Sequence, residues 1–135
     1  MAYAGTTYSQ PIVYTTSYSL PKMGKKGKEF WGEAEWIAFH SKAAVYDPKS
    51  RDSAKAYVYS LTDLLPCELC RKELLATLVA YPIDNYLSSH EDFFRFSWIC
   101  HDRANKAHNS SHPGASKVSP PYEIVRNHYF AALRD

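Results

Sequence analysis

The sequence predicts an all-α fold, a four-helix bundle with a short fifth helix, and three observations support this prediction. Apolar residues recur from Glu29 onward at the spacing of amphipathic helices. Prolines and polar breaks divide that pattern into five segments. No segment alternates strongly enough to require a sheet. A chain of 135 residues has the length of one domain, which we place at residues 29–135 after a flexible tail at residues 1–28.

The tail is rich in Tyr, Ser, Thr and Gly and shows neither helical nor strand periodicity. Residues 12–18 could still pair as an edge strand. Its basic run is interpreted as a solvated hinge rather than a binding patch. The run consists of Lys22, Lys25, Lys26 and Lys28.

Helix 1 is predicted from Glu29 to the stop signal at Asp47-Pro48. One broad face of it is apolar and comprises Phe30, Trp36, Ile37, Phe39, His40, Ala43 and Ala44. A turn at residues 48–52 follows, in which Ser50 or Asp52 can serve as N-cap. Helix 2 is marked by the apolar residues Ala54, Tyr57, Val58, Leu61, Leu64 and Leu65.

Helix 3 opens near Cys67, with Pro66 suited to its first turn, and ends at Tyr81-Pro82. Residues 83–89 form a link in which Ser88 or Ser89 can cap the next helix. Helix 4 is predicted from about His90 to Ala107, and residues 109–121 are predicted to be loop. The short fifth helix is predicted over residues 122–133.

Composition excludes several classes of protein. A net charge of +2 from sixteen basic and fourteen acidic residues is too balanced to indicate nucleic-acid binding. The chain shows no signal-peptide core and no apolar run that could span a bilayer, which predicts a soluble protein with no membrane partner. Three cysteines are too few and too unevenly paired for a framework of stapling disulfides.

The cysteines of Pro66-Cys67-Glu68-Leu69-Cys70 stand three residues apart, within reach of a local disulfide on a helix. A helix N-terminus, with Arg71 and Lys72 beside it, would favour a thiolate and therefore thiol exchange. On this pair alone, redox chemistry, half of a zinc site and inert packing remain equally open. Cys100, which lacks a partner, is interpreted as a buried helical thiol.

Three separated motifs resemble the Erv/ALR sulfhydryl oxidases. Trp31-Gly32, Trp36, His40 and Tyr46 resemble the family's first-helix signature. The segment from Leu64 to Arg71 resembles its redox motif, and His101-Asp102-Arg103-Ala104-Asn105 resembles its His-Asn-x-Val-Asn element. The motifs follow in the family's order, so the resemblance covers about residues 29–130.

The last motif departs from the family pattern at Asp102, at Ala104 and at Phe96, where an Asn, a Val and a Trp are usual. A rival register aligns Trp98-Ile99-Cys100-His101 with a Trp-x-Cys-His run of some members, which would leave the adenine contacts unassigned. We prefer the first register.

The resemblance implies that FAD is held at the end of the bundle, with Cys67 and Cys70 as the catalytic pair. Trp36 and His40, one turn apart, would face the flavin, and His101 and Asn105 the adenine. Cations are needed at the pyrophosphate, and aromatic residues of the last helix would cover the flavin. The predicted cofactor-binding residues are Gly32, Trp36, His40, Tyr46, His101, Asn105, Lys106, Lys117, Tyr122 and Tyr129.

The activity implied is a thiol oxidase that forms disulfides in protein substrates, passing electrons through the cysteine pair to FAD and then to oxygen, with hydrogen peroxide as product. The partners implied are a dithiol protein or a thioredoxin-like shuttle protein, and a second copy of the chain in a homodimer. The sparse cysteines resemble the minimal oxidases of large DNA viruses, which predicts a location in the host cytoplasm or virion. The alternative is a zinc-binding interaction module built on the same cysteine pair.

Overall fold

The computed structural model describes residues 20–21 and 23–135, and within them the chain forms five α-helices and no strand. The predicted all-α fold is therefore confirmed. The predicted edge strand at residues 12–18 and most of the predicted tail at residues 1–28 lie outside the described residues. None of the described helices is both long enough and apolar enough to cross a membrane.

Helices α1 (Lys28–Ala44) and α2 (Arg51–Leu64) form a pair joined by a 3₁₀ turn at Pro48–Ser50. Gly27 caps α1 with a φ of 57°, a left-handed conformation that glycine adopts without the steric cost of a side chain. The Asp47 side chain accepts a hydrogen bond from the Lys49 N–H and so caps the 3₁₀ turn. The proline therefore separates two helices, as the sequence predicted.

Helices α3 (Glu68–Ala80), α4 (His90–Ser111) and α5 (Tyr122–Leu133) complete the fold, with a 3₁₀ turn at Ile83–Tyr86 before α4. Ser89 caps α4 by accepting the Asp92 N–H, one of the two caps predicted. The predicted end of α4 near Ala107 is wrong, because the helix continues for four residues. The hydroxyls of Ser110 and Ser111 donate to carbonyls one turn back, so both side chains form their hydrogen bonds within the helix.

The core is built largely from phenylalanines of α1 and α4. Phe39, Phe93, Phe94 and Phe96 are each at most 2 % exposed, and Val58 of α2 is fully buried beside them. Phe39 of α1 lies edge-on to Tyr57 of α2, with ring centroids 5.8 Å apart. The first four helices therefore share one apolar interior.

Two polar contacts fasten the outer helices to α4. Arg103 of α4 donates to the buried Thr77 hydroxyl of α3 at 3.0 Å. Arg126 of α5 donates hydrogen bonds from two of its nitrogens to the Glu91 carboxylate of α4, at 2.7 and 2.8 Å. These contacts position α3, which carries the cysteine pair, and α5 against opposite parts of α4.

Candidate active site

Cys67 and Cys70 form a disulfide at the start of α3, with Cα atoms 5.2 Å apart. The predicted local disulfide is therefore present. Cys67 is the N-cap of α3, and its sulfur accepts the Cys70 N–H at 3.2 Å. Pro66 lies one residue before the cap rather than in the first turn as predicted, because Cys67 has the extended backbone of a cap. Both cysteines remain partly exposed.

A cavity of about 890 Å³ adjoins the disulfide, with walls from α1, α3, α4 and the loop after α4. Its volume lies within the range of sites for small-molecule cofactors. Both cysteines and six of the predicted cofactor-binding residues line it. Those six are Gly32, Trp36, His101, Asn105, Lys117 and Tyr129.

Flat aromatic rings form the inner wall of this cavity. Trp36 stacks on His101 with centroids 4.1 Å apart and planes within 8°. The centroid of the His40 ring lies 5.2 Å from that of the His101 ring. His40 itself lines a second, smaller cavity of about 290 Å³, of whose walls His101, Asn105 and Tyr129 are also part. The two cavities therefore share part of their walls, including His101.

The two histidines belong to a hydrogen-bonded chain between α1 and α4. His40 Nδ1 lies 2.8 Å from Ser97 Oγ, and His40 Nε2 lies 3.0 Å from His101 Nδ1. Burial, reinforced by His101, lowers the pKa of His40 to about 3. Burial, reinforced by Lys117, lowers the pKa of His101 to about 4. Both imidazoles are therefore neutral at pH 7.

Three of the predicted cofactor-binding residues line neither cavity. Tyr46 is buried and donates its hydroxyl to the Leu87 carbonyl at 2.8 Å. Tyr122 donates to Glu91 at 2.6 Å, and burial together with that carboxylate raises its pKa. Lys106 pairs with Asp102 at 2.8 Å on the surface of α4. The structure thus gives Tyr46 and Tyr122 packing roles and directs Lys106 into solvent.

A cluster of basic side chains lines the cavity, and two of its members, Lys28 and His108, were not among the predicted cofactor-binding residues. Lys28 Nζ lies 3.2 Å from His108 Nδ1, and His108 stacks on His112 at 4.1 Å. Burial and then Lys117 lower the pKa values of both Lys28 and His108. Lys28 and Lys117 thus bring positive charge to a place where an anion would be stabilised, and a neutral His108 accepts a hydrogen bond from Lys28. The four-residue spacing of the two histidines was the available signal, since it places them on one helix face.

The loop between α4 and α5 is folded back onto α4, which brings Lys117 to the cavity. The Asn109 side chain both accepts from the Lys117 N–H and donates to its carbonyl, each at 2.8 Å. Asn105 donates to Ser119 at 3.0 Å, and the Trp98 indole donates to the Pro120 carbonyl at 3.0 Å. Polar side chains of α4 therefore fix a segment that composition alone identified only as loop.

Cys100 lies inside the same cavity wall as a free thiol that is 3 % exposed. Burial raises its pKa, so it is protonated and unreactive at neutral pH. The prediction of a buried helical thiol is confirmed. Among residues 20–21 and 23–135, no three His, Cys, Asp or Glu side chains are grouped as metal ligands.

A helical bundle with a disulfide at a helix N-terminus, next to a cavity with aromatic walls, defines a thiol–disulfide redox protein. Residues 33–122 match the model of the Erv1/Alr family, which is two thirds of the chain. The chain therefore belongs to the Erv1/Alr family, whose members are flavin-linked sulfhydryl oxidases. The resemblance found in the sequence is confirmed.

A viral relative agrees with this membership. The protein named "Putative FAD-linked sulfhydryl oxidase 096R", of Invertebrate iridescent virus 3, is 26% identical over 100 residues. The match covers 71% of this chain and 68% of that protein. No solved structure matches the chain.

FAD, the cofactor of the family, fits the donor groups of the larger cavity. Trp36 and His101 offer flat faces for an aromatic ring system. Lys28 and Lys117 offer the positive charge that a pyrophosphate needs, and His108 lies beside Lys28. The disulfide lies in the same wall, as electron transfer between the two groups would require.

Proposed function

We propose that the protein oxidises dithiols of protein substrates to disulfides, passing two electrons through Cys67 and Cys70 to bound FAD and then to oxygen, with hydrogen peroxide as product. The observation that carries the proposal is the position of the disulfide in the wall of the cavity that Trp36 and His101 also line. Such a wall suits a flat redox cofactor next to a thiol-exchange site.

The exchange step uses the two sulfurs in different roles. A substrate thiolate attacks Cys67 Sγ, which forms a mixed disulfide and releases Cys70 as a thiolate. A second substrate thiolate then attacks the substrate sulfur of the mixed disulfide, which releases the oxidised substrate and leaves Cys67 reduced. Cys67 Sγ accepts a hydrogen bond from the Cys70 N–H at the start of α3. This hydrogen bond stabilises negative charge on the Cys67 sulfur.

Bound FAD supplies the two-electron acceptor that reoxidises the cysteine pair and delivers the electrons to oxygen. We assign Trp36, with His40 behind it, to the flavin ring and His101 with Asn105 to the adenine. Lys28, His108 and Lys117 are assigned to the pyrophosphate, in place of the predicted Lys106. The flat faces of Trp36 and His101 and the positive charge of Lys28 and Lys117 support these assignments.

The partner is proposed to be a dithiol protein that reaches Cys67 directly, or a thioredoxin-like shuttle. The reason is that the sequence holds cysteine only at positions 67, 70 and 100, so it offers no further pair to relay electrons. A homodimer and a location in the host cytoplasm or virion are also part of the proposal. The location rests on the sparse cysteines, which resemble those of the minimal viral oxidases.

The visible spectrum of the purified protein tests the cofactor. We expect a yellow flavin absorbance at about one FAD per chain. A colourless protein that binds zinc and unfolds in chelator would instead establish the zinc-module alternative.

Oxygen consumption with dithiothreitol tests the electron path. We expect Cys70→Ser to abolish it while the protein keeps its FAD, because the route from Cys67 to the cofactor is broken. Cys100→Ala is the matched control, since it removes a buried thiol of the same cavity wall, and it should retain turnover. Undiminished turnover in Cys70→Ser would show that the electrons take another route.

A further inference from the structure

Ser97, in the middle of α4, has no role in the proposed chemistry and yet ends a chain of three polar side chains. Its side chain is fully buried, and the next member, His40, is 2 % exposed. The third member, His101, is partly exposed and lines both cavities. A buried hydroxyl in contact with a buried imidazole restricts where each hydrogen of the chain can lie.

The hydrogens of this chain can be assigned from its distances. Ser97 Oγ lies 2.6 Å from the Phe94 carbonyl, which can only accept, so the single hydroxyl hydrogen points there. Ser97 Oγ must then accept from His40 Nδ1 at 2.8 Å. His40, when neutral, has no second hydrogen, so its Nε2 accepts from His101 Nδ1 at 3.0 Å.

The last nitrogen of these hydrogen-bonded side chains is His101 Nε2. A neutral His101 has one ring N–H, and its Nδ1–H donates to His40. Its Nε2 therefore carries no hydrogen and can only accept. Burial keeps both pKa values far below 7, with Lys117 adding to the effect at His101 and Asp102 opposing it. No protein group within residues 23–135 forms a hydrogen bond to His101 Nε2. This acceptor is therefore left for a ligand.

We propose that Ser97 is a positioning residue that, through His40, holds His101 in the Nδ1–H tautomer and so offers its Nε2 to the cofactor cavity as a hydrogen-bond acceptor. The group that meets His101 must then be a donor, such as an amino, imide or hydroxyl group, and not a carbonyl or phosphate oxygen. FAD carries all three donor types. This consequence for FAD rests on the proposed function, whereas the tautomer itself does not.

Removal of the Ser97 hydroxyl should reverse the direction of the hydrogen bond between His40 and His101. In Ser97→Ala, a hydrogen on His40 Nδ1 would be buried with no acceptor, which is unfavourable. His40 would move its hydrogen to Nε2 and donate to His101 Nδ1. His101 would then carry its hydrogen on Nε2 and become a donor at the position where the ligand needs an acceptor.

The test is nitrogen-15 NMR of histidine-labelled full-length protein as purified, which distinguishes protonated from unprotonated ring nitrogens. We expect His101 of the wild type to show a protonated Nδ1 and an unprotonated Nε2. A wild-type spectrum with the hydrogen on His101 Nε2 would overturn the proposal. This spectrum decides the question even where a variant does not fold.

Ser60→Ala is the matched control for Ser97→Ala, because the Ser60 hydroxyl also donates to a carbonyl three residues back at 2.6 Å and touches no histidine. We expect Ser97→Ala to populate the Nε2–H tautomer of His101 and to raise the FAD dissociation constant about tenfold. Ser60→Ala should change neither. An unchanged His101 tautomer in Ser97→Ala, or equal FAD loss in both variants, would overturn the proposal. Absence of FAD from every preparation would defeat the proposed function and leave the tautomer measurable.

Discussion

Helix α4 carries two polar clusters, one of which is charged and the other neutral. Near its start, Glu91 is an anion held by Arg126 and Tyr122, and both side chains of the ion pair are about one third exposed. Two turns later, Ser97 and His40 are buried and, together with the partly exposed His101, form a hydrogen-bonded cluster that holds no charge. Where water reaches, α4 uses an ion pair, and where water is excluded, it uses neutral hydrogen bonds.

The two clusters consequently respond to acid in different pH ranges. Burial lowers the histidine pKa values below 6.5, so the unfolded chain gains protons first and stability falls as pH drops below about 6.5. Hydrogen bonds from Arg126 lower the pKa of Glu91 to about 2. Its contribution is present above an unfolded pKa near 4.5 and is lost as pH falls toward about 2. The neutral cluster is therefore the first to fail in acid.

Phe94→Ala should break both clusters and have the largest effect. The Phe94 ring is fully buried, 5.6 Å from the His40 ring and 6.2 Å from Tyr122. We expect a loss of about 3 to 5 kcal/mol in the free energy of unfolding, measured by urea denaturation. Leu69→Ala, at a side chain that is 67% exposed, is the control and should stay within about 0.5 kcal/mol. A loss below about 1 kcal/mol in Phe94→Ala would contradict this packing.

His40→Gln removes a buried titratable imidazole and so tests the acid response of the neutral cluster. The wild type should lose about 2 kcal/mol through His40 between pH 6.5 and pH 5, because its folded form cannot take up the proton. The variant should show a flatter dependence of unfolding free energy on pH in that range, at constant added FAD. An unchanged slope above pH 5 would mean that His40 is protonated in the folded protein.

Glu91→Gln should have the smallest effect and act in the lower pH range. We expect a loss of about 0.5 to 1 kcal/mol at pH 7, because the ion pair is partly screened by water. The difference from the wild type should disappear as pH falls through about 2, where the wild-type carboxyl also becomes protonated. Glu68→Gln, at an exposed pair with Lys72, is the control and should be neutral. If the difference in unfolding free energy persisted in strong acid, Glu91 would stabilise the fold through packing and not through its charge.

The sequence predicted the helices well because local signals mark their ends. Proline at position 48, the serine cap at position 89 and the apolar spacing of α5 all act within a few residues. The end of α4 was missed because serines can either break a helix or donate to it, and only the fold decides. For the candidate site, periodicity placed Trp36 on the apolar face of α1 and the family resemblance indicated His101, and both residues line the cavity.

Tyr46, Lys106 and Tyr122 show why other contacts could not be predicted. Each residue type suits a cofactor, but their partners Leu87, Asp102 and Glu91 became known only from the packed helices. The same holds for Lys28 and His108, which lie 80 positions apart in the chain and meet in space. Spacing within one helix is readable from sequence, whereas contacts between distant segments depend on the tertiary fold.

The capping role of Cys67 couples the fold of α3 to electron transfer. Its sulfur accepts a backbone N–H at the helix start, and a thiolate is a stronger acceptor there than a disulfide sulfur. In a thermodynamic cycle, any free energy by which the reduced cysteine stabilises the helix also favours reduction of the disulfide. The disulfide then has a higher reduction potential. Each 1.4 kcal/mol corresponds to about 30 mV for a two-electron couple. The first turn of α3 is thus a means of setting the reduction potential without altering either cysteine.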